Sequence, residues 1–363
     1  MNIKKQIIVI ALAMMLISAS AIQTGAAGND RVLTVMTRNL DTGTDFGPIF
    51  SAMTPFQLLT AVGAAYAEVQ ASNIPERAAG IAREIELNQP DLVGLQEVTT
   101  VYIGPYGGPA TTLVADQLQS LLDELASRGL HYAPIAVLTN LDAEAPAFDS
   151  SFNIFDVRIT DRDVILARTD LPVSEFKLEN TQTHHFTTNL TFFNPLLGSL
   201  TIPRGWISVD AKLRGKKYRF VTTHLEVLSP AIQAAQATEL VQQTANTNLP
   251  VVFAGDFNAD AESSDSAANP AYNTILTAGF VDTWRQVHPT DQGFTWPLHA
   301  EDPFIPFTTP YQRIDLVFSR GGLKGIDPIN IALIGNNQST DLTPSGLWPS
   351  DHAGLVALFT LKP

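Results

Sequence analysis

The sequence predicts a layered α/β protein. Short apolar runs of strand length recur along the chain, around Val32 to Met36, Leu92 to Leu95, Val251 to Gly255 and Ala353 to Leu361. Between them lie segments whose apolar residues fall at helical spacing behind Thr-Pro or Ser-Pro starts. Polar side chains stand at the strand ends, and in layered α/β proteins such ends gather at one rim where ligands bind.

With 363 residues, 45% of them hydrophobic, the chain can bury a large core in one α/β domain or two smaller ones. No fixed-period repeat and no long linker argues for a second domain. The first 27 residues stand apart. Lys4 and Lys5 precede the apolar run Ile7 to Ile17, and Ala19-Ser20-Ala21 and Gly25-Ala26-Ala27 are candidate cleavage sites. That is the layout of a secretory signal peptide, too short for a comfortable membrane span, and it leaves 28–363 as a catalytic domain without a transmembrane segment. The absence of cysteine removes disulfides, thiolate metal sites, cysteine nucleophiles and a lipoprotein anchor together. A secreted protein stabilised by packing alone points to a bacterial exoprotein or periplasmic protein. The formal charge of -14 keeps it soluble and opposes unspecific attraction to nucleic acid or an anionic bilayer. A phosphate substrate stays open, because bound divalent cations invert the local field.

Taken in order, Arg31 to Asn39 reads as a strand ending in an amide. Thr54-Pro55 supplies an N-cap and first-turn proline for a helix with Phe56, Leu59, Tyr66 and Val69 near one face. A second helix starts around Pro75, places Ala78, Ile81, Ala82 and Ile85 at helical spacing, and stops at Pro90. Asp91 to Gln96 is then a buried strand that delivers Glu97. A Gly/Pro-rich loop from Ile103 to Ala110 leads to an amphipathic helix with Leu118, Leu121, Leu122 and Leu125, closed by Gly129. Strands near His131 to Val137 and Val164 to Ala167 flank a long polar segment, and Phe176 to Ile202 forms a hairpin or protruding loop around Asn194-Pro195. Trp206 to Leu213 and Tyr218 to Thr223 pair across Arg214-Gly215-Lys216, with His224 at the exit. Ser229-Pro230 opens a helix to about Thr244.

Pro250-Val-Val-Phe-Ala-Gly-Asp-Phe-Asn258 is the most informative stretch. Its apolar strand stops at Gly255, and Asp256 and Asn258, two residues apart, share one side of an extended segment. An acid and an amide so placed hold an attacking water and polarise its target; an Asx turn closing the strand is the alternative. A short helix follows near Tyr272 to Leu276, then a strand at Arg313 to Phe318 with Asp315 on one side, then Ser350-Asp351-His352 before the last strand.

The rim set is therefore Asn39, Glu97, His224, Asp256, Asn258, Asp315, Asp351 and His352. It holds carboxylates, amides and imidazoles without a thiol, a donor set that favours Mg²⁺, with Mn²⁺ or Ca²⁺ as alternatives, over structural zinc. Hard cations take phosphate oxygens as ligands, so the implied reaction is hydrolysis of a phosphate ester by a positioned water. His184-His185 reads as an exposed strand pair, since no acidic residue is close in sequence. Arg162 reads as a solvated charge, with phosphate contact as the alternative. Phe192-Phe193, with Leu196 and Leu197, reads as core packing, with a lipid-touching tip as the alternative.

The ordered motifs Thr37-Arg-Asn39, Leu95-Gln-Glu97, Thr223-His-Leu225, Gly255-Asp-Phe-Asn258, Arg313-Ile-Asp315 and Ser350-Asp-His352 resemble the endonuclease/exonuclease/phosphatase superfamily. That superfamily includes pancreatic-type deoxyribonucleases, apurinic-site endonucleases, neutral sphingomyelinases and inositol polyphosphate 5-phosphatases. The resemblance implies a four-layer sandwich, two mixed β-sheets packed face to face with helices on the outer faces. It implies Glu97 as the main metal ligand with Asn39 and Asp351 supporting, Asp256 as the residue that orients or deprotonates water, and Asn258 as the holder of water or a phosphoryl oxygen. His352, oriented by Asp315, would stabilise the pentacoordinate state, and His224 would act at the ester oxygens or leaving group. The substrate implied is a nucleic acid, a phospholipid or a small phosphoester, cleaved by a phosphodiesterase of nuclease or sphingomyelinase type. A phosphomonoesterase and a non-catalytic binding protein on the same scaffold are the rivals. No protein partner is implied, and a monomer is expected.

Overall fold

The computed structural model describes residues 32–264, 269–299, 309–321 and 325–361; the signal-like segment 1–27 lies outside them. In chain order the first half contains β1 (Val32–Asn39), α1 (Gly47–Phe50), α2 (Pro55–Ala71), α3 (Ile74–Asn88), β2 (Leu92–Gln96), β3 (Thr100–Pro105), β4 (Thr112–Asp116), α4 (Gln117–Ser127), β5 (Tyr132–Phe148) and β6 (Ile154–Arg168). The second contains β7 (Phe176–His185), β8 (Leu190–Asn194), β9 (Gly198–Ile202), β10 (Gly205–Leu213), β11 (Lys216–His224), α5 (Pro230–Thr244), β12 (Val251–Asp256), α6 (Pro270–Thr277), β13 (Val281–Asp282), α7 (Thr283–Val287), β14 (Asp315–Arg320), β15 (Ile326–Ile334) and β16 (Gly354–Leu361).

These strands form an eight-stranded sheet in the order β15-β16-β1-β2-β6-β3-β4, with β5 paired to β6, and a six-stranded sheet in the order β13-β14-β12-β11-β10-β7. The central pairs β1/β2 and β11/β12 are parallel and their neighbours antiparallel, so both sheets are mixed. Alternation along each strand explains the layering. Leu33 and Val35 of β1 join Val252 and Ala254 of β12 in the core between the sheets. Met36 faces the other way, with Ile81 and Ile85 of α3 and Leu121 and Leu125 of α4. Phe253 of β12 faces Ala237 and Leu240 of α5 and Ile275 of α6. Helix, sheet, sheet, helix is thus the order of layers, as the superfamily resemblance implies.

Local chemistry fixes the element ends. Thr54 and Gln57 form a reciprocal capping box on α2, Ser229 caps α5, and α3 ends at a left-handed Gln89 just before Pro90. The sequence misplaces the buried face of α2, however. Leu58, Val62, Ala65 and Val69 are buried, whereas Phe56 is 61% exposed. The reason lies in its partner: α2 packs on the long β5–β6 hairpin, where Phe56 meets Phe148 at a tilt and Tyr66 meets Phe155 edge-on. That hairpin is the second difference, since β5 and β6 pair continuously from Tyr132/Arg168 to Phe148/Ile154 through the segment that reads as polar. Both strands run half exposed there, which removes the apolar signal of a strand. The Gly/Pro-rich loop is shorter than the sequence suggests: β3 continues to Pro105, Tyr106–Ala110 form the turn, and β4, a strand the sequence reading lacks, follows from Thr112. Asn194-Pro195 does turn a hairpin, β8/β9. Among the described residues, no helix is long and apolar enough to cross a membrane.

One contact brings the two sheets together beneath the rim. A Cβ added at Gly94 of β2 would lie 2.4 Å from Thr222 Oγ1 of β11, and Gln96 Nε2 donates to the same oxygen at 2.9 Å. Only glycine lets the strands approach this closely. Three residues beyond Gly94 and two beyond Thr222, Glu97 and His224 face each other across the gap at 4.0 Å.

Candidate active site

The parallel pairs β1/β2 and β11/β12 end at one edge. Register sets Asn39 beside Gln96, His224 beside Asp256, and Asp256 beside Asp315. The structure therefore brings together the side chains that the strand ends carry. Glu97, His224, Asp256, Asn258, Asp351 and His352 line a cleft of about 510 Å³, while fully buried Asn39 and Asp315 stand behind it. Such a volume suits a small organic ligand or one unit of a larger one.

Asp256 is the hub. Its Oδ2 lies 3.5 Å from His224 Nε2, 3.9 Å from His352 Nε2, and accepts from Asn39 Nδ2 at 3.1 Å. Asn39 Nδ2 also donates to Glu97 Oε1 at 2.9 Å, and that oxygen is 4.0 Å from His224 Nε2. Asn39 so aligns two carboxylates, while its own Oδ1 accepts from Asp41 N at 2.8 Å. The stretch beyond Asp256 is not extended: Asn258 has φ +49° and its N–H donates to Asp256 Oδ1 at 2.8 Å, an Asx turn. Asn258 still reaches the cleft, anchored by its Nδ2 on Leu225 O at 3.0 Å.

The imidazoles are held by opposite partners. His352 Nδ1 meets Asp315 Oδ2 at 2.8 Å; burial pulls this ring down, yet Asp315 and Asp351 hold it well above the usual imidazole range. On the other side, Arg204 Nη1 meets His224 Nδ1 at 2.8 Å, and burial followed by the Arg204 and His352 charges holds His224 well below that range. Burial pushes the Glu97 carboxyl up to about 8, with Asp351 and Asp161 adding to it, and pushes Asp256 up to about 6 against the pull of His352. Carboxylates crowded until their charge is suppressed form a site that a cation relieves. Ligand atoms of Glu97, His224 and Asp256 lie within 4.8 Å of one another, as do those of Asp256, Asp315 and His352. Oxygen dominates both sets, which fits a hard divalent cation.

Several neighbours escape a reading of strand ends alone. Asp41 lines the cleft with its Oδ2 3.2 Å from Arg77 and 3.7 Å from His299 Nε2; burial raises its carboxyl, but Arg77 and His299 hold it well below the usual range. Trp296 Nε1 donates to Asp351 Oδ2 at 3.0 Å. Asp161 and Asp163 point inward from β6, both pushed up by burial. On β6, Asp161, Asp163, Ile165 and Ala167 alternate along one strand face. Arg162 instead packs away from the cleft, donating to Val98 O and Asp116. Arg313 pairs with Glu262 and Asp282, which leaves Asp315 for His352. His184 and His185 are exposed strand residues, Phe193 is exposed, and Phe192 packs on Phe50 at 5.1 Å.

The model of the Endonuclease/Exonuclease/phosphatase family matches residues 67–352. Among solved structures, an endonuclease/exonuclease/phosphatase family protein from Bacteroides thetaiotaomicron aligns with a TM-score of 0.57 and 15% identity, covering 92% of this chain and 98% of that one. A mannosyl-6-phosphatase from the same organism aligns with a TM-score of 0.56 at 15% identity, over 91% of this chain and all (100%) of that one. D. rerio TDP2, solved with a single-strand DNA product, gives 0.52 at 18% identity over 91% and 100%. At these identities the likeness is one of fold. Comparison with curated proteins finds no match.

Proposed function

This chain belongs to the endonuclease/exonuclease/phosphatase family, and on that premise we propose that it is an exported, monomeric phosphodiesterase dependent on Mg²⁺ or a similar divalent ion. The family's members hydrolyse phosphoesters. The observation that carries the reading is the placement of Asp256 Oδ2 between two imidazoles of opposite character, 3.5 Å from one and 3.9 Å from the other, beside Glu97. A general base for water, a cationic donor for the phosphoryl oxygens and a carboxylate for a metal occupy one cleft.

Glu97 and Asp351 would hold the cation, with Asn39 aligning Glu97 from behind. What a divalent ion supplies there is neutralisation of phosphate charge. Asp256 takes the proton of a water that Asn258 positions, and the crowding of acids that raises its carboxyl suits it to accept one. His352, kept charged by Asp315, donates to the phosphoryl oxygens as negative charge builds on them. His224 Nε2 faces the same point from the other sheet and donates to an ester oxygen. For localisation, the Lys4-Lys5 and Ile7 to Ile17 pattern supports export.

A second reading, hydrolysis of a small phosphoester, is favoured by the lining. Among the described residues the arginines lining the cleft are Arg77, which pairs with Asp41, and Arg204, which bonds His224. A long polyanion is usually tracked by many basic contacts. Purified protein incubated with bis-p-nitrophenyl phosphate, plasmid DNA, RNA, sphingomyelin and inositol phosphates, with and without Mg²⁺, separates the readings. Metal-dependent hydrolysis of the diester is expected; cleavage of monoesters alone selects the second reading, and inertness toward every substrate contradicts both.

A further inference from the structure

We infer that Arg204 is a positioning residue that locks His224 in the tautomer with its proton on Nε2. This inference rests on the proposed role of His224 for its catalytic consequence, but not for the geometry. A guanidinium has five N–H donors and no acceptor, and it does not lose its charge in proteins. An Arg204 Nη1 to His224 Nδ1 distance of 2.8 Å therefore requires a lone pair on Nδ1. The ring proton must then sit on Nε2, the atom that faces Asp256 Oδ2 at 3.5 Å and Glu97 Oε1 at 4.0 Å. His224 is thus a fixed neutral donor aimed into the cleft.

The fold holds Arg204 for this purpose from both sides. Its N–H donates to Asn189 Oδ1 at 2.9 Å and its carbonyl accepts from Phe186 N at 2.8 Å. The next residue, Gly205, pairs in register with His224, and Thr223 Oγ1 donates to Gly205 O at 2.8 Å. A Cβ at Gly205 would lie 2.3 Å from His184 O, so the strand can enter here only as glycine. Across the gap stand Asp161 and Asp163, both buried and both within the influence of the Arg204 charge. Arg204 Nε and one oxygen each of Asp161 and Asp163 have no hydrogen-bond partner among the described residues. Both acids lie near the guanidinium without bonding it, which leaves its Nη1 to the imidazole. An ordinary carboxylate–imidazole pair would do the opposite, placing the proton on Nδ1 and favouring the charged ring.

Nitrogen-15 spectra of the whole protein labelled at histidine test this without any need for turnover, with His224 assigned from H224Q. At neutral pH the expected pattern is an unprotonated Nδ1 and a protonated Nε2; a proton on Nδ1 of the wild-type ring overturns the inference. In R204A the ring should become a tautomer mixture, and kcat should fall by about 10²-fold with KM nearly unchanged, the usual scale for a misplaced proton donor. Added guanidinium should restore at least ~10-fold of that loss in R204A and none in H224A. Loss of activity with an unchanged ring spectrum and no rescue would make Arg204 merely structural. Should R204A fail to fold, the wild-type spectrum alone decides. A locked Nε2 tautomer in a protein inert toward all phosphoesters would refute the proposed function and leave this inference standing.

Discussion

His224 and His352 face the same carboxylate from different sheets, yet their surroundings give them different chemistry. Behind His352 Nδ1 stands a fully buried carboxylate, Asp315, at 2.8 Å; behind His224 Nδ1, at the same distance, stands a guanidinium. The first partner stabilises an imidazolium and the second forbids one. Proximity to substrate therefore does not assign the roles. What lies on the far nitrogen does, and in the proposed reaction it makes His352 the charged donor and His224 the neutral one.

Removing the metal should have the largest effect, because in the proposed reaction both rings serve a phosphate whose charge a cation offsets: EDTA should abolish hydrolysis of bis-p-nitrophenyl phosphate and Mg²⁺ or Mn²⁺ restore it. Chelator-insensitive turnover would detach the rings from a metal site. Asp256→Asn or His352→Ala should lower kcat by at least ~10²-fold with the fold retained by circular dichroism; an unchanged rate in either variant removes that residue from the reaction. Asp315→Asn should cost about 10-fold or more in kcat, because His352 loses the charge that keeps it protonated. Equal rates for D315N and wild type would mean that the two rings differ in surroundings but not in function.

A smaller effect concerns pH. Glu97 is pushed up to about 8 by burial, so most of the population is protonated near neutrality. Metal binding must displace that proton, and affinity should rise with pH until it passes about 8, by at most ~10-fold per unit. Calorimetry in buffers of different ionisation heat measures the release; no proton release at neutral pH would contradict the crowding of acids around Glu97. The smallest effect should come from Gly94→Ala, where the added methyl meets Thr222 Oγ1 and drives apart the strands that carry Glu97 and His224. Overpacking of this kind typically costs ~1–3 kcal/mol, readable as a lower urea midpoint. A variant as stable as wild type would show that the sheets can separate without strain.

Much of this site was legible in the chain because each of its groups stands at one end of an apolar strand, Asn39, Glu97, His224 and Asp256 at the finish of one and Asp315 and His352 at the start of one, and β-register carries those ends to one edge. Asn39, Glu97, His224, Asp256, Asp315 and His352 meet for that reason. Arg204 was not legible. It sits between a hairpin and a strand, and its meaning depends on which residue lies opposite Gly205, a long-range pairing that spacing does not reveal. Asp161 and Asp163 were hidden differently, in a strand whose outer half is exposed and reads as polar loop. The same half-exposure concealed the β5–β6 hairpin and so misdirected the face of α2, since a helix shows its buried side only relative to a known partner.

In the proposed reaction Glu97, Asp256 and His352 serve a single divalent ion and one phosphate in one cleft. Anomalous scattering from a crystal soaked with Mn²⁺ would locate that ion. The ion should appear on Glu97 and Asp351, within the cleft that Asp256 and the two histidines line. Manganese bound elsewhere, with that cleft empty in crystals that still hydrolyse a diester, would contradict it.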